Sequence, residues 1–122
     1  MIEGHKNSSE RNGKIAEEVI RYVKEQMGIC PEKVSVDIHS HSVTVTLEGV
    51  SHPAEMNLAK KQLSRSMIQN MYSELFNISK QILHFQLEDI LCRPVERSFF
   101  TVDPQYGSAV LVLFFSDKSD HM

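Results

Sequence analysis

The chain has 122 residues, 41% hydrophobic and 24% charged, the balance of an ordinary soluble globular protein and enough for one core but not two. A formal net charge of −3 argues against broad electrostatic attraction to nucleic acid or anionic lipid. No stretch approaches the roughly 20 apolar residues that span a bilayer, and residues 1–12 lack the apolar centre of a signal peptide, so a single cytoplasmic domain over 1–122 is expected.

Residues 1–12 are polar, rich in Ser, Asn and charge, and are expected to form a flexible tail. From Gly13, the spacing of Ile15, Val19, Tyr22, Val23 and Met27 places all five on one face of a helix, with Glu17, Arg21 and Glu25 paired along the other side. Gly28 and Pro31 stop it. Val34, Val36 and Ile38 then alternate with Ser35, Asp37 and His39, and Val43, Val45 and Leu47 alternate with Thr44, Thr46 and Glu48. Two strands joined at His39-Ser40-His41-Ser42 make an antiparallel hairpin.

Gly49 ends the second strand, Pro53 suits the first turn of a helix, and Glu55 sets a carboxylate against the positive helix end. From Pro53 to about Leu91 there is neither Gly nor Pro. A single helix of that length is unusual in a compact domain, so a break near residues 62–66 is expected, giving a short helix and a long one. Met56, Ala59, Leu63, Met67, Met71, Leu75, Ile78, Ile82 and Phe85 recur at helical spacing and are predicted to face the core, the methionines filling gaps. Pro94 ends the helix. Residues 95–102 and 108–115 read as two strands around the turn Asp103-Pro104-Gln105-Tyr106-Gly107, and residues 116–122 as a second flexible tail.

The run from Ala109 to Phe115 is wholly apolar, with Val110, Val112 and Phe114 on one side and Leu111, Leu113 and Phe115 on the other. One set needs cover that these helices do not supply, which predicts a homodimer through the last hairpin. The expected architecture is α+β: a two-layer sandwich in the order α-β-β-α-α-β-β, with a four-stranded antiparallel sheet from two hairpins and the helices on one face.

The sequence contains little assembled chemistry. Among six histidines only His39-x-His41 has a ligand-like spacing, and no Cys or carboxylate lies at a familiar distance from it, so no metal is expected. Cys30 and Cys92 form no C-x-x-C pair and are expected as buried or half-buried thiols. His52, Glu55 and Asp103 stand near element ends, but nothing orients them toward one another. A nucleophile elbow, a phosphate loop and H-E-x-x-H are all missing. A non-enzymatic protein without a cofactor is expected. Lys60, Lys61 and Arg65, extended by Lys80 and His84, make a basic stripe that reads as a solvated face, without the interleaved aromatics of a nucleic-acid surface.

The run Leu47-Glu48-Gly49-Val50-Ser51-His52-Pro53-Ala54-Glu55, followed by Leu58-Ala59-Lys60, resembles the segment L-x-G-V-x-[ST]-P-A-E-x-x-L-A-K of the MpsC-like (YbcI-like) family of small bacterial domains. The segment from Ile15 to Glu32, with Met27-Gly28 and Pro31-Glu32, resembles that family's first helix and its exit. Ser73-Glu74-Leu75 sits where the family has R-E-L. The chain departs from the pattern at His52, where the family has Thr, and at the turn from Asp103 to Gly107. The family's Thr-Pro-Ala-Glu makes a capping box, so His52 is expected to cap its helix poorly.

The resemblance implies a small non-catalytic accessory or regulatory protein of a membrane system that moves sodium and takes up inorganic carbon. Such a protein would be cytoplasmic, or held at the inner face of the cell membrane through a transporter subunit. It assigns no ligand residues. Gly49, Pro53, Ala54, Glu55, Leu58 and Ala59 match the motif and are read as structural, while Lys60, Lys61 and Arg65 are the candidate partner-binding residues. The alternative is a stand-alone regulatory module that binds a ligand or nucleic acid on the open face of the sheet.

Overall fold

A computed structural model describes residues 2–116. The elements follow the expected order: α1 (Ile2–Met27), β1 (Lys33–Ile38), β2 (Ser42–Glu48), α2 (Pro53–Leu58), α3 (Gln62–Leu91), β3 (Val95–Asp103) and β4 (Ser108–Phe115). Both hairpins form, and they join through β2 and β4 into one antiparallel sheet of order β1-β2-β4-β3. Val45 pairs with Val36 on one side and Leu111 on the other, so the two most deeply buried strands, β2 and β4, occupy the centre. Helix α1 lies against β1 and α3 against β3, with the two helices touching each other above the sheet.

The core fills the space between these layers. Val43, Val45 and Leu47 from β2 and Leu111 and Leu113 from β4 are fully buried beneath Ile15, Val19 and Val23 of α1 and Leu83 and Leu87 of α3. Period-2 alternation in the strands and period-3.6 spacing in α1 therefore aim at the same volume. Phe76 on α3 stacks on Phe100 of β3, centroids 5.5 Å apart, and meets the Tyr22 ring of α1 edge-on at 6.4 Å. A buried polar pair joins α1 to α3: Ser79 Oγ donates to the Leu75 carbonyl at 2.6 Å, leaving its oxygen to accept from the Tyr22 hydroxyl, also at 2.6 Å. Burial pushes the Tyr22 phenol up, only partly offset by Ser79.

Four expectations are corrected. Helix α1 begins at Ile2 instead of near Gly13, so the segment expected as a tail is helical. It contains no Pro, and once the packed part of α1 has nucleated, each further turn adds a hydrogen bond at little cost. The helical break falls at residues 59–61, a few residues earlier than expected. Cys30 and Cys92 are both exposed; Cys92 is the left-handed residue that closes α3, where its side chain turns to solvent. Finally, α3 presents a different face to the core. Tyr72, Phe76, Ser79, Leu83, Leu87 and Leu91 point inward, whereas Leu63, Met67, Met71, Ile78, Ile82 and Phe85 are exposed. The last tail, residues 117–122, lies outside the described residues.

Candidate functional site

The family-like motif builds a corner between β2 and α3. Gly49 takes a left-handed conformation (φ +70°) to leave β2, and the corner is pinned on both sides. Glu32 N–H donates to the Glu48 carbonyl at 2.8 Å, and Val50 N–H donates to the Gly107 carbonyl in the β3–β4 turn at 3.0 Å. His52 is the N-cap of α2 with extended backbone, and its side chain makes no capping bond. Glu55, three residues on, accepts from the Tyr72 hydroxyl through Oε2 at 3.1 Å, while its buried Oε1 and the buried Ser51 Oγ have no protein partner. Burial, reinforced by the Glu55 charge, pushes the Tyr72 phenol up to about 12.

The capping box is thus half built: Glu55 is in place and the hydroxyl is missing. Replacing His52 with Thr should supply an acceptor for the N3 amide and allow the free Glu55 oxygen to reach back to the cap N–H. The expected gain is about 0.5–1 kcal/mol. It would be read as a higher denaturation midpoint with an unchanged slope; an unchanged midpoint would mean that neither half of the box forms.

The candidate cations divide into two kinds. Arg65 turns inward, its Nη1 donating to the Ala59 carbonyl at 2.9 Å and to Gln105 Oε1 at 3.1 Å, so it clamps the helical break to the β3–β4 turn. Ala59 is fully buried under that clamp, while Leu58 beside it is exposed. Lys60 and Lys61 stay exposed in the break itself. A cation at the start of α3 gains nothing from the helix dipole, so no local structural reason explains Lys61. Lys60 borders an open hollow of about 600 Å³ with Pro53, Ala54, Met56, Asn57 and Gln105. A second hollow, on the Gly49 side, has Glu32, Glu48 and Ser51 in its wall.

The basic stripe goes no further. His84 is buried, its Nε2 2.7 Å from Ser98 Oγ, and burial lowers its pKa, helped by Lys80 and opposed by Glu88. His39 pairs with Asp37 at 3.4 Å across the β1 end. Asp103 accepts from the Tyr106 amide at 3.4 Å within its own turn and Glu55 ties α2 to α3 through Tyr72, so each of these polar groups has a structural partner. No cluster of three or more metal-ligating side chains occurs among the described residues.

Among the described residues two apolar surfaces remain, one of which sequence reasoning assigns to the core. The expected one is the open sheet face, where Phe99 and Val110 are exposed and Phe114 is partly covered by the Arg97 guanidinium 4.1 Å above its ring. The other is the outer face of α3, whose Ile78 and Phe85 are 81% and 77% exposed. The sequence reading assigns this stripe to the core; the signal that separates the two faces is a second apolar stripe on the same helix, Tyr72, Phe76, Leu83, Leu87 and Leu91, which is the one that packs inward. No helix among the described residues is long and apolar enough to cross a membrane.

A family model described as the Na+-translocating membrane potential-generating system (MpsC) matches residues 7–117, nearly the whole chain. No curated protein and no solved structure matches it.

Proposed function

We propose, from the premise that the chain belongs to the MpsC family, that it is a non-catalytic accessory of a membrane system that moves sodium and supports inorganic-carbon uptake. The match over residues 7–117 carries this reading. The surface is consistent with a protein that works by docking. Lys60 and Lys61 are exposed cations without a structural task among the described residues, and two apolar faces are left exposed by those residues. The partners are a second copy of the chain and a transporter subunit that would hold it at the inner face of the membrane. The hollow beside Lys60 is wide open and has one charged group in its wall, which favours a docking surface over an enclosed small-molecule site.

Growth of a deletion strain at low and high CO2 tests the reading. Growth should be impaired in ambient air and restored by added CO2 or bicarbonate, and a Lys60→Glu chain should fold but fail to complement. Equal growth under both conditions in a strain with a single gene copy, together with a tightly co-purifying nucleotide, metabolite or RNA, would replace this reading with that of a binding regulator.

A further inference from the structure

The outer face of α3 has an order that a solvated helix does not need. Leu63, Met67, Met71, Ile78, Ile82 and Phe85 are all exposed. At 3.6 residues per turn they fall within an arc of about 100° and run for about 33 Å along the helix. A helix that is apolar on two sides is expected inside an assembly. The spacing also identifies the occupant, because the stripe is symmetric about its own middle. The midpoints of Leu63 and Phe85, of Met67 and Ile82, and of Met71 and Ile78 all fall at Glu74 and Leu75. A two-fold axis crossing α3 there would lay each member of a pair against the other member in a second chain, which is the defining property of an isologous contact.

The charges obey the same symmetry. Lys60 and Lys61 precede the stripe, Glu88 and Asp89 follow it, and the same midpoint relates Lys60 to Asp89 and Lys61 to Glu88. Asp89 is exposed, while Glu88 is half-buried and already accepts from the Val95 amide, so Lys60 and Asp89 form the stronger pair. Six side chains losing roughly 100 Å² each would bury on the order of 1,200 Å² across both copies, the lower bound of stable specific interfaces.

We infer that two copies of this chain dimerise through α3, antiparallel about Glu74 and Leu75, with Lys60 and Lys61 of each copy facing Asp89 and Glu88 of the other. The inference rests on the reading of Lys60 and Lys61 as partner-binding residues and names the partner as a second copy. The two Glu74 carboxylates lie near the axis and inside the stripe, about 20° from its Leu63 edge, and oppose association.

Sedimentation equilibrium of the full chain tests this, with circular dichroism confirming that each variant folds. The parent chain should be dimeric at micromolar concentration. Ile78→Arg alters an 81% exposed side chain and should raise the dissociation constant more than about a hundredfold without changing the spectrum. Lys60→Asp and Asp89→Lys should each raise it roughly tenfold, and the two changes in one chain should restore it. Glu74→Gln should tighten the dimer. A parent chain that stays monomeric, or a dimer broken by Val110→Arg on the sheet face and not by Ile78→Arg, would overturn the inference. Neither result would touch the accessory reading, which is judged by growth.

Discussion

Phe76→Ala should destabilise the domain by about 3–5 kcal/mol, the cost of removing a large aromatic ring from a packed core. The ring is 3% exposed and stands where α1, α3 and the sheet meet, stacked on Phe100 and edge-on to Tyr22. Its loss leaves a cavity that Leu83 and Tyr22 cannot fill without leaving their own contacts, and it exposes the Tyr22–Ser79 hydrogen bond to rearrangement. Against a total stability of about 5–15 kcal/mol for a domain of ordinary stability, the variant would keep a small margin. The same substitution at Phe85, on the same helix but 77% exposed, should cost less than about 0.5 kcal/mol when measured at low protein concentration. Urea titrations of the two variants make the comparison. Similar costs would mean that α3 is rotated from the face described above. A Phe76→Ala, Phe100→Ala double variant should cost less than the two single changes added, because both lose the same stacked contact.

The contrast between Phe76 and Phe85 also shows where the sequence was legible. Strand alternation named the inward residues of β2 directly, since each apolar side chain there has polar neighbours that exclude the other face. In α1 the charged side served the same purpose. The order of elements and the pairing of hairpins follow from those local patterns and from turns marked by Gly and Pro. Helix α3 has a polar side too, through Ser66, Asn70, Ser73 and Asn77, but the apolar arc left over is wider than one packed face needs. Its residues satisfy a helical template twice, once through Leu63, Met67, Met71, Ile78, Ile82 and Phe85 and once through Tyr72, Phe76, Leu83, Leu87 and Leu91, and periodicity cannot choose between them. Ser79 lies in the true core stripe and weakens it on paper; only its bonds to Tyr22 and Leu75 show why a hydroxyl is tolerated there. At the candidate site, the motif predicted the corner, but the inward turn of Arg65 depends on Gln105, 40 residues away, which no local pattern reports.

Gly49→Ala should be the most damaging single-atom addition at the motif corner. Its backbone is left-handed at φ +70°, and a Cβ there would stand 2.6 Å from Glu32 Cγ, 2.7 Å from Cδ and 2.8 Å from Cβ. Rotating the Glu32 side chain moves the first two atoms and not the third, and the Glu32 backbone is itself held by its 2.8 Å bond to the Glu48 carbonyl. The strand exit must therefore shift, straining the Val50–Gly107 bond that ties the corner to the β3–β4 turn. The expected cost is about 2–3 kcal/mol, combining the conformational penalty with that displacement. Gly28 separates the two terms: it has the same φ of +70° but nothing within 4 Å of an added Cβ, so Gly28→Ala should cost only the conformational part, about 1 kcal/mol. Adding Glu32→Ala to Gly49→Ala removes Cγ and Cδ and should recover part of the difference. Equal midpoints for the two glycine variants would show that the Glu32 contact relaxes freely. A larger loss at Gly49 would mean that the approach of Glu32, beyond backbone handedness, makes glycine necessary where the chain turns toward Lys60 and Lys61.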